Sequence, residues 1–127
     1  MLQVSEKVFS LLDINENVLT ERALNRIIHY IDEHLADDLS LTVLSDVGGF
    51  NASYLSRLFK QIKGESLSEY ILQKRMKLAR QMLSDTQDKI QEIAVRTGYI
   101  SAHSFTRVFR KIHGISPKEY REMEAEK

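Results

Sequence analysis

Apolar residues recur at helical spacing along most of the chain. Leu24, Ile27, Ile28, Ile31 and Leu35 fall on one side of a helix, and Leu55, Leu58, Phe59 and Ile62 on one side of another. No segment alternates with a period of two between turn dipeptides, so the pattern predicts an all-α chain. Thr20 is placed to cap a helix that runs to Leu35 and is broken by Ala36-Asp37-Asp38-Leu39. Ser40 then caps a short helix reaching Val47, and Gly48-Gly49-Phe50 forms a tight turn. Asn51 is a good N-cap for a helix of about residues 52–62, which Gly64 ends. Ser66-Leu67-Ser68-Glu69 matches a capping box and starts a helix through Tyr70, Ile71, Met76, Leu78, Ala79 and Leu83. At 1.5 Å per residue its length is about 27 Å. Asp88 is expected to begin the next helix, with Ile90, Ile93 and Ala94 inward. Gly98-Tyr99-Ile100 is a second turn, Ser101 caps a helix of about residues 102–112, and Gly114 ends it. Ser116-Pro117-Lys118-Glu119 is another capping box, with proline at the first helical position, where its missing amide costs nothing.

The two glycine-turn helices are copies. Tyr54-Leu55-Ser56-Arg57-Leu58-Phe59-Lys60 and Ser104-Phe105-Thr106-Arg107-Val108-Phe109-Arg110 align, as do Ile62 and Ile112, Gly64 and Gly114, Ser66 and Ser116, Glu69 and Glu119, Tyr70 and Tyr120. The turns differ by one residue, because the cap follows Gly49 by two positions and Gly98 by three. Each unit reads as short helix, glycine turn and capped helix, the pattern of a helix-turn-helix whose second helix enters a DNA major groove. The chain divides into residues 1–19 (a linker or the end of a preceding domain), a first helix-turn-helix subdomain at 20–65, a connecting helix at 66–83, a second subdomain at 84–122 and a charged tail at 123–127.

Composition narrows the alternatives. The 127 residues carry no net charge, but residues 1–50 hold three Lys/Arg against nine acids and residues 51–127 hold fifteen against nine. That split points a basic half at phosphate. The absence of cysteine excludes disulfides and thiol chemistry and fits a reducing cytoplasm. No apolar run is long enough for a membrane span, and residues 1–20 lack the basic start and apolar stretch of a secretory signal. His29 and His34 lie about 140° apart around a helix, and His103 and His113 have no ligand constellation near them in sequence, so no metal and no other cofactor is expected. No phosphate loop or nucleophile motif supports an enzyme.

The residues resemble the DNA-binding domain of the AraC/XylS family of bacterial transcription regulators over about residues 22–122. Tyr54 to Lys60, Gly64, Tyr70, Arg75 and Ala79 carry the first part. Ile93-Ala94, Gly98-Tyr99, Phe105, Arg107, Phe109-Arg110-Lys111, Gly114-Ile115-Ser116-Pro117 and Tyr120-Arg121 carry the more specific second part. The resemblance implies seven helices, in two helix-turn-helix subdomains joined by one long helix. It also implies sequence-specific binding to double-stranded promoter DNA, usually activation, and contact with RNA polymerase. Ser45, Gly48 and Asn51 depart from the family pattern, which favours Ala, a larger apolar residue and Ser there. A sensor or dimerisation domain usually precedes such helices, and about twenty residues do here, so the chain is expected to be a piece of a longer regulator or a short stand-alone member.

Burying Leu55, Phe59 and Ile62 turns Ala52, Ser53, Ser56, Arg57 and Lys60 outward; burying Phe105, Phe109 and Ile112 does the same for Ala102, His103, Thr106, Arg107 and Arg110. Arg57 and Arg107 are expected to touch bases or phosphates, since arginine can grip guanine with two bonds. Ser53, Ser56, His103 and Thr106 offer adaptable hydrogen bonds, and Ala52 and Ala102 suit thymine methyls. Asn51, Lys60, Lys63, Ser101, Arg110 and Lys111 suit phosphate, and the capped helix starts offer it backbone amides. The bland alternatives are a solvated basic surface, or structural arginines paired with Glu69 or Glu92. The competing function is a helical protein-interaction module that docks through the acidic first half.

Overall fold

The computed structural model describes the backbone of residues 2–127 and the side chains of residues 18–127. Seven helices follow one another without a strand among the described residues: α1 (Leu2–Glu33), α2 (Leu41–Gly48), α3 (Ala52–Lys63), α4 (Leu67–Asp85), α5 (Ile90–Arg96), α6 (Ala102–His113) and α7 (Pro117–Ala125). The expected all-α architecture is therefore present. Two separate cores flank α4. Leu24, Ile27 and Ile31 of α1 close on Leu44, Leu55, Phe59, Leu67 and Ile71. Met76, Ala79, Met82 and Leu83 close on Ile93, Ala94, Phe105 and Phe109. The first turns of α4 thus belong to one core and the remainder to the other, so a single rod carries both subdomains.

Three local expectations need correction. Thr20 does not start a helix: it lies inside α1, which ends at Glu33 and leaves Leu35 in the following loop. Nothing in residues 2–33 breaks helix, there being neither glycine nor proline, and a mid-helix threonine costs only about 0.7 kcal/mol. The packing of residues 1–17, within the segment expected to be a linker or a preceding domain's end, lies outside the described residues. Asp88 does not begin a helix; α5 starts at Ile90. The cap position is Lys89, which supplies no side-chain bond, while the Asp88 carboxylate lies 3.6 Å from the Arg96 guanidinium. Ile62 and Ile112 do not point inward; they are 44% and 37% exposed. Each sits in the last turn of its helix, beyond the reach of the core that Phe59 and Phe109 fill.

The caps show how finely the ends are set. Asn51 Oδ1 accepts from the amides of Ser53 and Tyr54 at 3.0 and 3.3 Å. Ser116 and Glu119 form a reciprocal box, which holds the Glu119 carboxyl below its usual pKa through the bonds from Ser116. At Ser66 only half the box forms, with the hydroxyl accepting from Glu69 N at 3.1 Å. An unforeseen box joins Ser101 to Ser104 at the start of α6. The family departures are also coherent. A Cβ on Gly48 would lie 2.5 Å from Ile27 Cδ1, so the missing side chain is what lets α2 close on α1. The buried Ser45 hydroxyl is satisfied by Thr42 O at 2.9 Å.

Candidate nucleic-acid interface

Helices α3 and α6 each bury one stripe and expose another. Leu55 and Phe59 have no exposure, and neither do Phe105 and Phe109. The side chains between them face solvent: Ser53, Ser56, Arg57, Lys60 and Lys63 on α3, and His103, Arg107, Arg110 and Lys111 on α6. Ala52, Ala102, Thr106 and Ser101 are half-buried at the rim, and Asn51 is exposed. The structure therefore gathers the sequence-derived candidates on one face of each helix.

The charge on these faces has one sign. Helix α3 carries Arg57, Lys60 and Lys63, helix α6 carries Arg107, Arg110 and Lys111, and neither contains a carboxylate. Among the described residues no ion pair includes Arg57 or Arg107, so pairing with Glu69 or Glu92 is not what holds them. Concentrating uncompensated cations on a helix costs self-repulsion and is stabilised only in part by the helix C-terminal dipole, which favours Lys60, Lys63, Arg110 and Lys111. Such a face gains when it displaces the condensed counterions of a polyanion into solution. A shallow groove of about 310 Å³ runs along α6 between Ser104, Val108, Arg107 and Lys111.

The expected supply of helix-start amides is smaller than anticipated. Asn51 already occupies the amides of Ser53 and Tyr54, and Ser101 occupies that of Ser104. The amides of Ser53, Tyr54 and Ser104 are therefore not free for an added anion. Ser104 itself is tied into the cap, its hydroxyl bonded to Ser101 O at 3.0 Å.

Sequence reasoning missed the arginines that tie α4 to the loop after α1, to α7 and to the end of α6. Arg75 appeared only as part of the family resemblance, yet its Nε donates to Leu35 O at 3.2 Å and its Nη2 to Asp37 O at 3.0 Å. Arg121 does a parallel job in the second half, where Nε donates to Leu83 O at 3.0 Å, just before the end of α4. Arg80 of α4 donates to His113 Nε2 at 2.9 Å while the ring stacks on Phe109. Burial holds the His113 pKa below 6.5, against the bond from its Nδ1 to Phe109 O, and the Arg80 charge lowers it further. No one-dimensional signal marks these contacts, because the partners lie 33 to 40 residues away and most are backbone carbonyls.

Comparison with known proteins agrees with this geometry. Residues 44–123 match the family described as "Helix-turn-helix domain". The regulatory protein SoxS of Salmonella typhimurium is 36% identical over 101 residues, covering 80% of this chain and 94% of SoxS. The C-terminal domain of the two-component response regulator yesN from Fusobacterium nucleatum superposes with a TM-score of 0.75 at 37% identity, over 79% of this chain and 98% of that one. The DNA-binding domain of AdpA, a global transcriptional factor solved in complex with a target DNA, gives a TM-score of 0.74 over 79% of this chain and 90% of its own; at 23% identity that likeness is one of fold.

Proposed function

The chain belongs to the AraC/XylS-type helix-turn-helix family of DNA-binding transcription regulators, and from that premise we propose that it reads two successive major grooves of one duplex with α3 and α6. The carrying observation is the pair of carboxylate-free basic faces at matched positions in the two subdomains. The 19 residues of α4 span about 28 Å at 1.5 Å each, comparable with the roughly 34 Å between successive major grooves on one side of DNA. Arg57 and Arg107 lead the base reading, assisted by Ala52, Ser53, Ser56, Ala102, His103 and Thr106. Asn51, Lys60, Lys63, Ser101, Arg110 and Lys111 fix the register on phosphate. The two outward sets differ, so one chain reads an asymmetric site. Residues 20–65 and 84–122 are the two reading units, and 66–83 the spacer.

The same reading makes the protein a non-enzymatic activator that contacts RNA polymerase in the cytoplasm. No described helix is long and apolar enough to cross a membrane. Selection of bound sites from random double-stranded DNA, followed by footprinting, tests the proposal. Protection of two grooves on one face, with affinity falling steeply as salt rises, is the expected result. Protection of a single groove, or indifference to salt, overturns it. Retention of selected-site binding after both Arg57→Ala and Arg107→Ala, with loss of a protein partner, turns the assignment to a protein-interaction module.

A further inference from the structure

Arg75 lies where the two cores meet on α4. Ile71 belongs to the first core and Met76 to the second. The two carbonyls it grips, Leu35 O and Asp37 O, stand just beyond the last helical residue of α1, where the helix no longer supplies donors. The second subdomain closes against the same guanidinium. Gly98 has φ +88°, and a Cβ there would lie 2.6 Å from Leu35 O and 2.7 Å from Arg75 Cζ and Nη2. The Tyr99 ring centre is 6.0 Å from Arg75 Cζ and 5.6 Å from the Phe105 ring. One cation therefore joins the α1–α2 loop to the first inward ring of α6. The main helix–helix contacts otherwise stay within a subdomain or run onto α4.

We propose that Arg75, seated against Gly98 and Tyr99, is a positioning residue that sets the angle between α3 and α6 and hence the half-site spacing the chain accepts; this rests on the two-groove reading above. The planar guanidinium holds two acceptors in fixed directions while presenting a face to Tyr99, which a lysine cannot do. Adding one base pair between half-sites moves the second by about 3.4 Å and turns it by about 34°. A rigid joint rejects such a shift, and a loosened one accommodates it.

The test uses DNA selected by the full chain, with derivatives that gain or lose one base pair between half-sites and one with a scrambled half-site. The wild-type chain prefers its native spacing by about tenfold or more, and Arg75→Met lowers that preference to under about threefold, with Arg75→Lys between them. Gly98→Ala, which displaces the guanidinium without removing it, gives the same narrowing. Full retention of the spacing preference by both Arg75→Met and Gly98→Ala overturns the proposal. If scrambling one half-site costs the wild-type chain nothing, the two-groove reading fails instead. The joint is then judged without DNA, from spin labels at Gln61→Cys and Lys118→Cys in a chain that has no cysteine of its own. A distance distribution broadened by Arg75→Met supports the joint, and an unchanged one sinks it. Should Arg75→Met fail to fold by circular dichroism, Tyr99→Leu keeps an apolar contact on Phe105 and serves in both measurements.

Discussion

The two subdomains share a plan but are held by different materials. Helix α3 packs into a largely aliphatic core that it shares with Leu24, Ile27 and Ile31 of α1, and among the described residues its rings meet in the pairs Phe50–Tyr54 and Phe59–Tyr70. Helix α6 rests on a continuous run of rings, from Tyr99 through Phe105 and Phe109 to His113 and Tyr120, with neighbouring centroids 4.0 to 6.1 Å apart. Both helices that begin within the second unit on a serine have reciprocal capping boxes, at Ser101 and Ser116, whereas Asn51 and Ser66 cap in one direction only. A duplicated motif thus preserves which face is buried and which is offered, while the means of burial are free to diverge. Burial depends on volume and apolarity, which many residue sets supply, but the offered face depends on particular donors at particular positions.

The comparison can be broken most sharply at the rings. Phe59→Ala and Phe109→Ala each remove a fully buried phenylalanine, at a cost of about 3–5 kcal/mol. Because the cores are separate, calorimetry should then show unfolding split into two transitions, with the damaged subdomain melting first. A single shared transition in both variants would mean that α4 couples the cores more tightly than their packing indicates. Next in size are the arginines: Arg57→Ala and Arg107→Ala should each weaken binding to a selected site by about 1–3 kcal/mol while leaving the circular dichroism unchanged. Each should relax preference in its own half-site, and a uniform loss across sequences would reassign that arginine to phosphate. The caps come third. Asn51→Ala and Ser101→Ala should each lower stability by about 1 kcal/mol, read by urea denaturation. No loss in either variant would mean that the caps do not hold the helix starts.

The smallest effect is one of pH. His113 has a folded pKa below its unfolded value of 6.5, mainly because burial disfavours the charged ring. The unfolded chain therefore binds the proton first, so the contribution is fully present above pH 6.5 and is lost as pH falls below it toward the folded pKa. The melting temperature of the second subdomain should drop across that window, and His113→Gln should flatten this part of the profile. The first subdomain's His34 stacks on Tyr30 and bonds its carbonyl at 2.8 Å. A drop of equal size that survives His113→Gln would place the sensitivity elsewhere.

Much of this was legible in the sequence because it is local. Leu55 and Phe59, or Phe105 and Phe109, declare an inward stripe by their spacing, and Asn51, Ser66 and Ser116 declare helix starts by the donors they satisfy within three residues. The errors occurred where local signals are weak or several elements compete. Thr20 looks like a cap only if the preceding turn is not helical. Ile62 and Ile112 continue their stripes but run past the end of the core. Asp88 resembles a cap yet is drawn toward Arg96.

By itself the sequence determined the all-helical class, the duplication, the inward stripes and the outward basic sets, since each follows from side chains a few positions apart on one helix. Tertiary structure alone decided how far those stripes are buried and which helix-start amides remain available. It also decided the grip of Arg75 and Arg121 on carbonyls 38 to 40 residues away. A backbone carbonyl has the same chemistry at every position, so nothing in the order of residues marks which ones an arginine will find. That choice arises only when the helices pack around α4.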